Sequence, residues 1–410
     1  MPYTVTPYIP TFITVHLGAP DSYAENVTVP FPEYIKNVAS SEIYPTWSPA
    51  ALRANILAQI SFALNRVYTE FYPSQGYDFN ITGTTARDMK FIKGRNIFDN
   101  ISVMVDDLFQ TYIRRQGFVE PLSAKFCNGT TTTCDGMSQW GSEGLAKEGY
   151  NSVEILRYFY GNDIELVPNA PIQDIRYSYP GTPLRLGSQG EVVGVLQVML
   201  NQVSQAYPKI PKISPVDTIF GQRTDEAVRV FQSIFQLTQD GVVGKATWYR
   251  LVYLYVGLLQ LSELVSEGQN QYQISFAYPD AISMGNQGEK VKLLQYLLSV
   301  LAQFNESIPF VQIDGVFGEQ TYQAVLAFQA QSGLQQTGVV DAQTWDQLVQ
   351  QFEGIQRTVL DNPALFPVEL THAGRTLPPE QVLANATHKI QHPGSNLTLG
   401  SRDPERSQTI

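Results

Sequence analysis

The chain has 410 residues, 43% of them hydrophobic, and a formal net charge of −11 with a pI near 4.9. Such a length accommodates roughly two to four domains with sizeable cores, while the acidic balance argues against nucleic acid and anionic membrane as main partners. No apolar run approaches the roughly 20 residues needed to span a bilayer, and 22 Tyr and 21 Phe leave a polysaccharide ligand open, although most such rings serve as core.

In chain order, the opening MPYTVTPYIPTF has no basic n-region and no apolar h-region, so it does not read as a secretory signal. Residues 12–17 (FITVHL) have the β-branched character of a strand. A short helix is predicted over 31–41, with Tyr34, Ile35 and Val38 on one face. Glu42 follows as a lone acid, and then an aromatic and proline hinge carries Tyr44, Pro45, Trp47, Ser48 and Pro49. Ser48 suits an N-cap with Pro49 at the first helical position. Leu52, Ile56, Ile60, Ala63, Leu64 and Val67 then give a core-facing stripe that runs to about Phe71. Residues 73–96 read mostly as loop, 97–116 as a helix and 118–127 as a strand. The segment CNGTTTTCDGMSQWGSEGLAKEGY (127–150) begins as a turn, becomes helical near Ser138 and reaches a C-cap at Gly149. A last short helix spans 151–160 before Gly161.

From residue 184 the chain repeats itself. LGSQGEVVGVLQVMLN (186–201) matches MGNQGEKVKLLQYLLS (284–299), and DTIFGQRTDEAVRVFQ (217–232) matches DGVFGEQTYQAVLAFQ (314–329). DGVVGKATWYRL (240–251) pairs with TGVVDAQTWDQL (337–348), and the offset is 97 or 98 residues throughout. That period is too long for a solenoid and suits two copies of one small three-helix domain. Leu251, Leu254, Leu258, Leu261 and Val265 form an apolar seam between the copies. The expected organisation is a domain at 1–165, a linker at 166–183, modules at 184–268 and 269–355, and a polar, disordered tail at 356–410. The fold class expected is α+β and mainly helical.

The repeats resemble the peptidoglycan-binding-like domain, a small three-helix bundle that attaches many cell-wall hydrolases to the wall. The likeness rests on the GxxGxxVxxLQxxL opening (Gly187 to Leu200, Gly285 to Leu298), the D-x-x-FG turn with its AVxxFQ helix, and the DGVVG-x-x-TW ending. The second copy carries Asp341 where that ending usually has glycine. Residues 10–161 resemble the catalytic domain of the stage II sporulation protein D family, lytic transglycosylases of spore-forming bacteria. One patch is Val38-Ala39-Ser40-Ser41-Glu42, Trp47, Ala51-Leu52-Arg53-Ala54 and Ala63-Leu64. The other is Gly136-Met137-Ser138-Gln139-Trp140-Gly141, with Gly149-Tyr150, Ile155-Leu156 and Tyr158-Phe159-Tyr160-Gly161. The family's A-R-T-Y-A is Gln59-Ile60-Ser61-Phe62-Ala63 here, and its motif histidine is replaced by Thr133.

The resemblance implies that Glu42 is the catalytic acid, acting on peptidoglycan glycan strands. A lone carboxyl set between an apolar wall and aromatic rings is also the setting that raises a carboxyl pKa. Tyr44, Trp47 and Trp140 are candidates for stacking on sugar rings, and Ser138 and Gln139 for hydrogen bonds to the glycan; each aromatic ring has core as its competing role. Some relatives hold zinc near Cys127 and Cys134, but His16 is the sole histidine outside the far C-terminus, so a disulfide or free thiols rank above zinc. No metal or cofactor is expected. The expected setting is synthesis in the cytoplasm of a sporulating cell and deposition on the spore or wall. The alternative is a wall- or spore-binding protein whose first domain is inactive.

Overall fold

The computed structural model describes residues 6–261, 270–271, 276–355, 371–372 and 375–376. The chain is α+β and mainly helical, as its periodicities predict. It divides into two compact units, one holding Met1–Ile43 and Ala50–Ser275, the other Tyr44–Pro49 and Phe276–Ile410.

The first unit opens with β1 (Ile9–Pro10), β2 (Phe12–His16) and β3 (Asn26–Pro30). β2 is the middle of a three-stranded sheet, antiparallel to β3 and parallel to β4 (Ile81–Thr82). α1 (Phe31–Glu42) leaves β3 directly, with a proline in its first turn, where the missing N–H has no helical partner to lose. It buries Phe31, Tyr34, Ile35 and Val38. α2 (Pro49–Tyr68) is buried on nearly every side, the mark of a helix at the centre of a core.

Not all of that burial is apolar. Arg66 of α2 and Asp88 are both wholly buried, with Nε 2.9 Å from Oδ1. The other Asp88 oxygen accepts from Thr82 N (2.9 Å), Thr82 Oγ1 (2.7 Å) and the Tyr72 hydroxyl. The guanidinium lies 3.9 Å from the Phe71 ring centre. A buried pair survives only when its remaining hydrogen-bonding capacity is filled in this way. The pair anchors the loop after β4, which the Asn37 side chain then grips through both Ile92 N (2.9 Å) and Ile92 O (2.8 Å). Polar by sequence, this loop nevertheless buries Met89 and Phe91.

The helix expected over 97–116 stops early: α3 is Asp99–Leu108, and Tyr112–Arg115 is a strand, β5. The strand expected over 118–127 is confined to β6 (Phe126–Cys127). β7 (Thr132–Thr133) and β8 (Met137–Ser138) follow, then α4 (Gln139–Lys147) and α5 (Ser152–Tyr160). α5 begins with a full capping box, Asn151 with Glu154. The stretch read as a linker begins as sheet instead. β9 (Ile164–Val167) pairs antiparallel with β5, and β10 (Ile172–Gln173) pairs parallel with β1. Both corrections share a cause: β5 and β9 satisfy each other's backbone across about fifty residues, a pairing no local window contains.

The first repeat is α6 (Glu191–Ala206), α7 (Gln222–Ile234) and α8 (Lys245–Leu258). The tryptophan helix therefore carries the apolar seam as far as Leu258, packed on the short turn Pro73–Gln75; Leu261 lies beyond its end, and Val265 lies outside the described residues. β11 (Asn270–Gln271) pairs antiparallel with β7. In the second unit, α9 (Glu289–Phe304), α10 (Glu319–Gln331) and α11 (Ala342–Ile355) repeat the bundle. The polar tail lies outside the described residues apart from two short paired strands, Thr371–His372 and Arg375–Thr376.

The repeat signature has a physical reading. Gln197 is wholly buried, and its Nε2 donates to Asp217 Oδ1 (2.8 Å), Ile219 O (2.9 Å) and Thr224 Oγ1 (3.1 Å). Its Oε1 accepts from Asp217 N and Thr218 N, both at 3.1 Å. Gln295 does the same with Asp314, Val316, Thr321 and Gly315 N. Gln232 and Gln329 pin the second turn of each copy through Gly241 N (3.0 Å) and Gly338 N (2.9 Å). One buried amide thus satisfies the backbone of one turn, and the D-x-x-FG and DGVVG stretches are the turns that fit it.

Candidate functional site

Glu42 is the last residue of α1 and is partly buried. Its Oε1 accepts from the backbone N–H of Lys90 at 2.6 Å, and its Oε2 from Gln139 Nε2 at 3.0 Å. Burial pushes its carboxyl up to about 7, against the opposing pull of the Lys90 N–H, the Gln139 amide and the Lys90 charge. Its place at the C-terminal end of a helix, where backbone carbonyls point, acts in the same direction as burial. A carboxyl poised near neutrality holds a proton for a leaving group and takes one back in the next step.

Gln139 reaches Glu42 from the first residue of α4, ninety-seven positions away in sequence. The Ser138 hydroxyl caps that helix by accepting from Gly141 N at 2.9 Å, so its oxygen serves α4 rather than standing free. Gly136 of the same motif lies where a Cβ would come within 2.2 Å of the Lys125 carbonyl, so the β6–β8 approach admits glycine alone. Cys127, paired in register with Ser138, is joined to Cys134 by a disulfide. His16 stacks on Phe79 and is hydrogen-bonded at both ring nitrogens, to Asn26 Oδ1 and Ala19 O.

Glu42 and Gln139 are thus brought together. The aromatic candidates are not presented as stacking platforms: Tyr44, Trp47 and Trp140 are all buried. Tyr44 packs edge-on against Phe304 of α9, and its neighbour Thr46 donates to Gln303 Oε1 at 2.6 Å. Sequence reasoning missed Lys90, because its contribution is a backbone N–H and carries no residue-type signal. It also passed over Asn55, an amide whose presence inside an apolar helical run was the available sign.

Residues 189–251 and 287–348 each match the family described as "Putative peptidoglycan binding domain". The chain carries two peptidoglycan-binding domains. A zinc D-Ala-D-Ala carboxypeptidase from Streptomyces albus G is 37% identical over 78 residues, 19% of this chain and 29% of that protein. The chain therefore spans less than a third of that relative's length. The two peptidoglycan-binding domains put their signature glutamines into turn-pinning, not onto the surface. No helix among the described residues is long and apolar enough to cross a membrane.

Proposed function

We propose that the chain is a peptidoglycan lytic transglycosylase held to the wall by its two binding domains. The observation that carries this reading is the Glu42 carboxyl, raised to about 7 by burial and oriented by Gln139 and the Lys90 N–H. In its protonated form Glu42 gives its proton to the glycosidic oxygen between MurNAc and GlcNAc as the C1–O bond breaks. As carboxylate it then takes the proton of the MurNAc 6-hydroxyl, whose oxygen closes onto C1 to give a 1,6-anhydro end. No water enters, so no second catalytic carboxylate is needed, unlike the two-carboxylate glycosidases. The resemblance of residues 10–161 to a sporulation family suggests the spore wall as the setting.

A second reading, a wall-binding protein with an inactive first domain, is favoured by one observation: the aromatic rings expected to stack on sugar are buried. Mass spectrometry of glycan strands, with and without stem peptides, separates the two. Anhydro-MurNAc ends that form with the wild-type chain and vanish with Glu42→Gln support the enzyme. No product from a chain still retained by peptidoglycan leaves the binder.

A further inference from the structure

Behind the Glu42–Gln139 contact lies a second layer of polar groups. Asn55, on α2, and Ser142, on α4, are both wholly buried. Asn55 Nδ2 donates to Ala51 O and to Ser142 Oγ, each at 2.8 Å. Ser142 Oγ in turn donates to the Gln139 carbonyl at 2.6 Å. The hydroxyl can give its single proton to that carbonyl because Asn55 offers it an N–H rather than an acceptor. The direction of the relay is thereby fixed, and it ends on the peptide from which the Gln139 side chain springs. Ser138 holds the same helical turn from its other end, through Gly141 N at 2.9 Å. Packing alone does not call for an amide here, since α2 is otherwise lined at this level by Ala51, Leu52, Ala54 and Ile56, all buried.

We infer that Asn55 and Ser142 are positioning residues, which hold the first turn of α4 so that the Gln139 amide stays aimed at the Glu42 carboxylate. This rests on the reading of Glu42 as the acid, but its test does not require turnover. A buried polar pair that spans two helices sets the direction of a third group more sharply than apolar contact does, because a hydrogen bond weakens steeply with angle. When the relay is cut, α4 keeps its apolar packing and loses its register with α1. Glu42 Oε2 then lacks its side-chain donor, and the proton is held more tightly.

The experiment is a carboxyl carbon-13 titration of the full chain labelled at glutamate, with the Glu42 signal assigned by its loss in Glu42→Gln. Gln139→Leu should raise the Glu42 midpoint by about one pH unit, a tenfold change in proton affinity. Ser142→Ala and Asn55→Leu should raise it in the same direction, and Ser142→Thr, which keeps the hydroxyl, should leave it near the wild-type value. If Asn55→Leu does not fold, Ser142→Ala alone decides. The inference is overturned if folded Ser142→Ala titrates like the wild type while Gln139→Leu shifts, or if Gln139→Leu itself does not shift. A merely structural pair would lower the melting temperature without moving the midpoint. Should the shifts occur in a chain that forms no anhydro ends, the positioning stands and the transglycosylase reading falls.

Discussion

The two peptidoglycan-binding domains share one skeleton and finish it differently. In the first, Asp240 sits in the second turn, bound by Gln232 Nε2 and Val242 N at 2.9 Å each, and α8 starts from Gly244 with no side-chain cap. In the second, Thr337 takes the turn, and the aspartate appears four residues later as Asp341, accepting from Thr344 N at 2.8 Å and Thr344 Oγ1 at 2.7 Å. The tryptophans differ too. Trp248 Nε1 donates to Ser178 Oγ at 2.8 Å, and Ser178 donates from both N and Oγ to the buried Glu70. Trp345 Nε1 donates to the Phe276 carbonyl at 2.8 Å, a backbone group of its own unit. The lesson is that the buried glutamines define the fold, while the aspartate and the tryptophan partner are interchangeable solutions to the same unsatisfied groups.

The largest test removes what the copies share. Gln232→Leu and Gln329→Leu should each cost about 2–4 kcal/mol, because each strands a turn N–H and carbonyl without water. Denaturant unfolding with hydrogen exchange should show equal losses in the two copies; a copy that tolerates the change would refute the common account. Next comes what only the first copy has. Ser178→Ala removes the hydroxyl from Glu70 Oε2 and from the Trp248 N–H, leaving Glu70 its backbone donor alone, and should cost about 1–3 kcal/mol, with faster exchange in α8 and none in α11. Burial raises the Glu70 carboxyl above its usual range despite the Ser178 hydrogen bonds. The folded chain thus binds that proton more tightly than the unfolded one, so this group's contribution falls as pH rises from the ordinary carboxylate range through the raised value. Measured against Glu70→Gln, the wild-type melting temperature should lose ground over that window.

The smallest test exchanges caps. Asp341→Ala should cost about 1 kcal/mol at neutral pH, and Gly244→Asp should gain a similar amount or less, since a Cβ at Gly244 meets nothing within 4 Å. The Thr344 N–H and hydroxyl hold the Asp341 carboxyl below its usual range. Its stabilisation is therefore complete above the ordinary carboxylate range and lost as pH falls through the lowered value. The Asp341→Ala difference should fade on acidification; a pH-independent cost would assign the effect to something other than the cap.

The repeats were legible because their information is local. LQ, FQ, the turn aspartates and the glycines recur at fixed spacing, and each network closes within about thirty residues. Glu42, the capping Ser138 and the capping box at Asn151 and Glu154 were likewise near their own signals, although only a resemblance singled out Glu42. What stayed hidden is what the chain assembles at a distance. β5 pairs with β9, Asp88 with Arg66, and Lys90 N with Glu42, none within one window of sequence. The aromatic candidates misled for another reason: a ring suited to sugar is equally suited to a core, and Trp47 and Trp140 sit where the interior needs volume.

Ile9 lies opposite Ile172 in the parallel pairing of β1 with β10, and Ile9 N donates to Pro171 O at 2.8 Å. The stretch between them therefore enters and leaves through one doorway. Its two ends lie side by side, so a chain reopened at a surface turn inside that stretch needs only a short join between them to keep the same pairing.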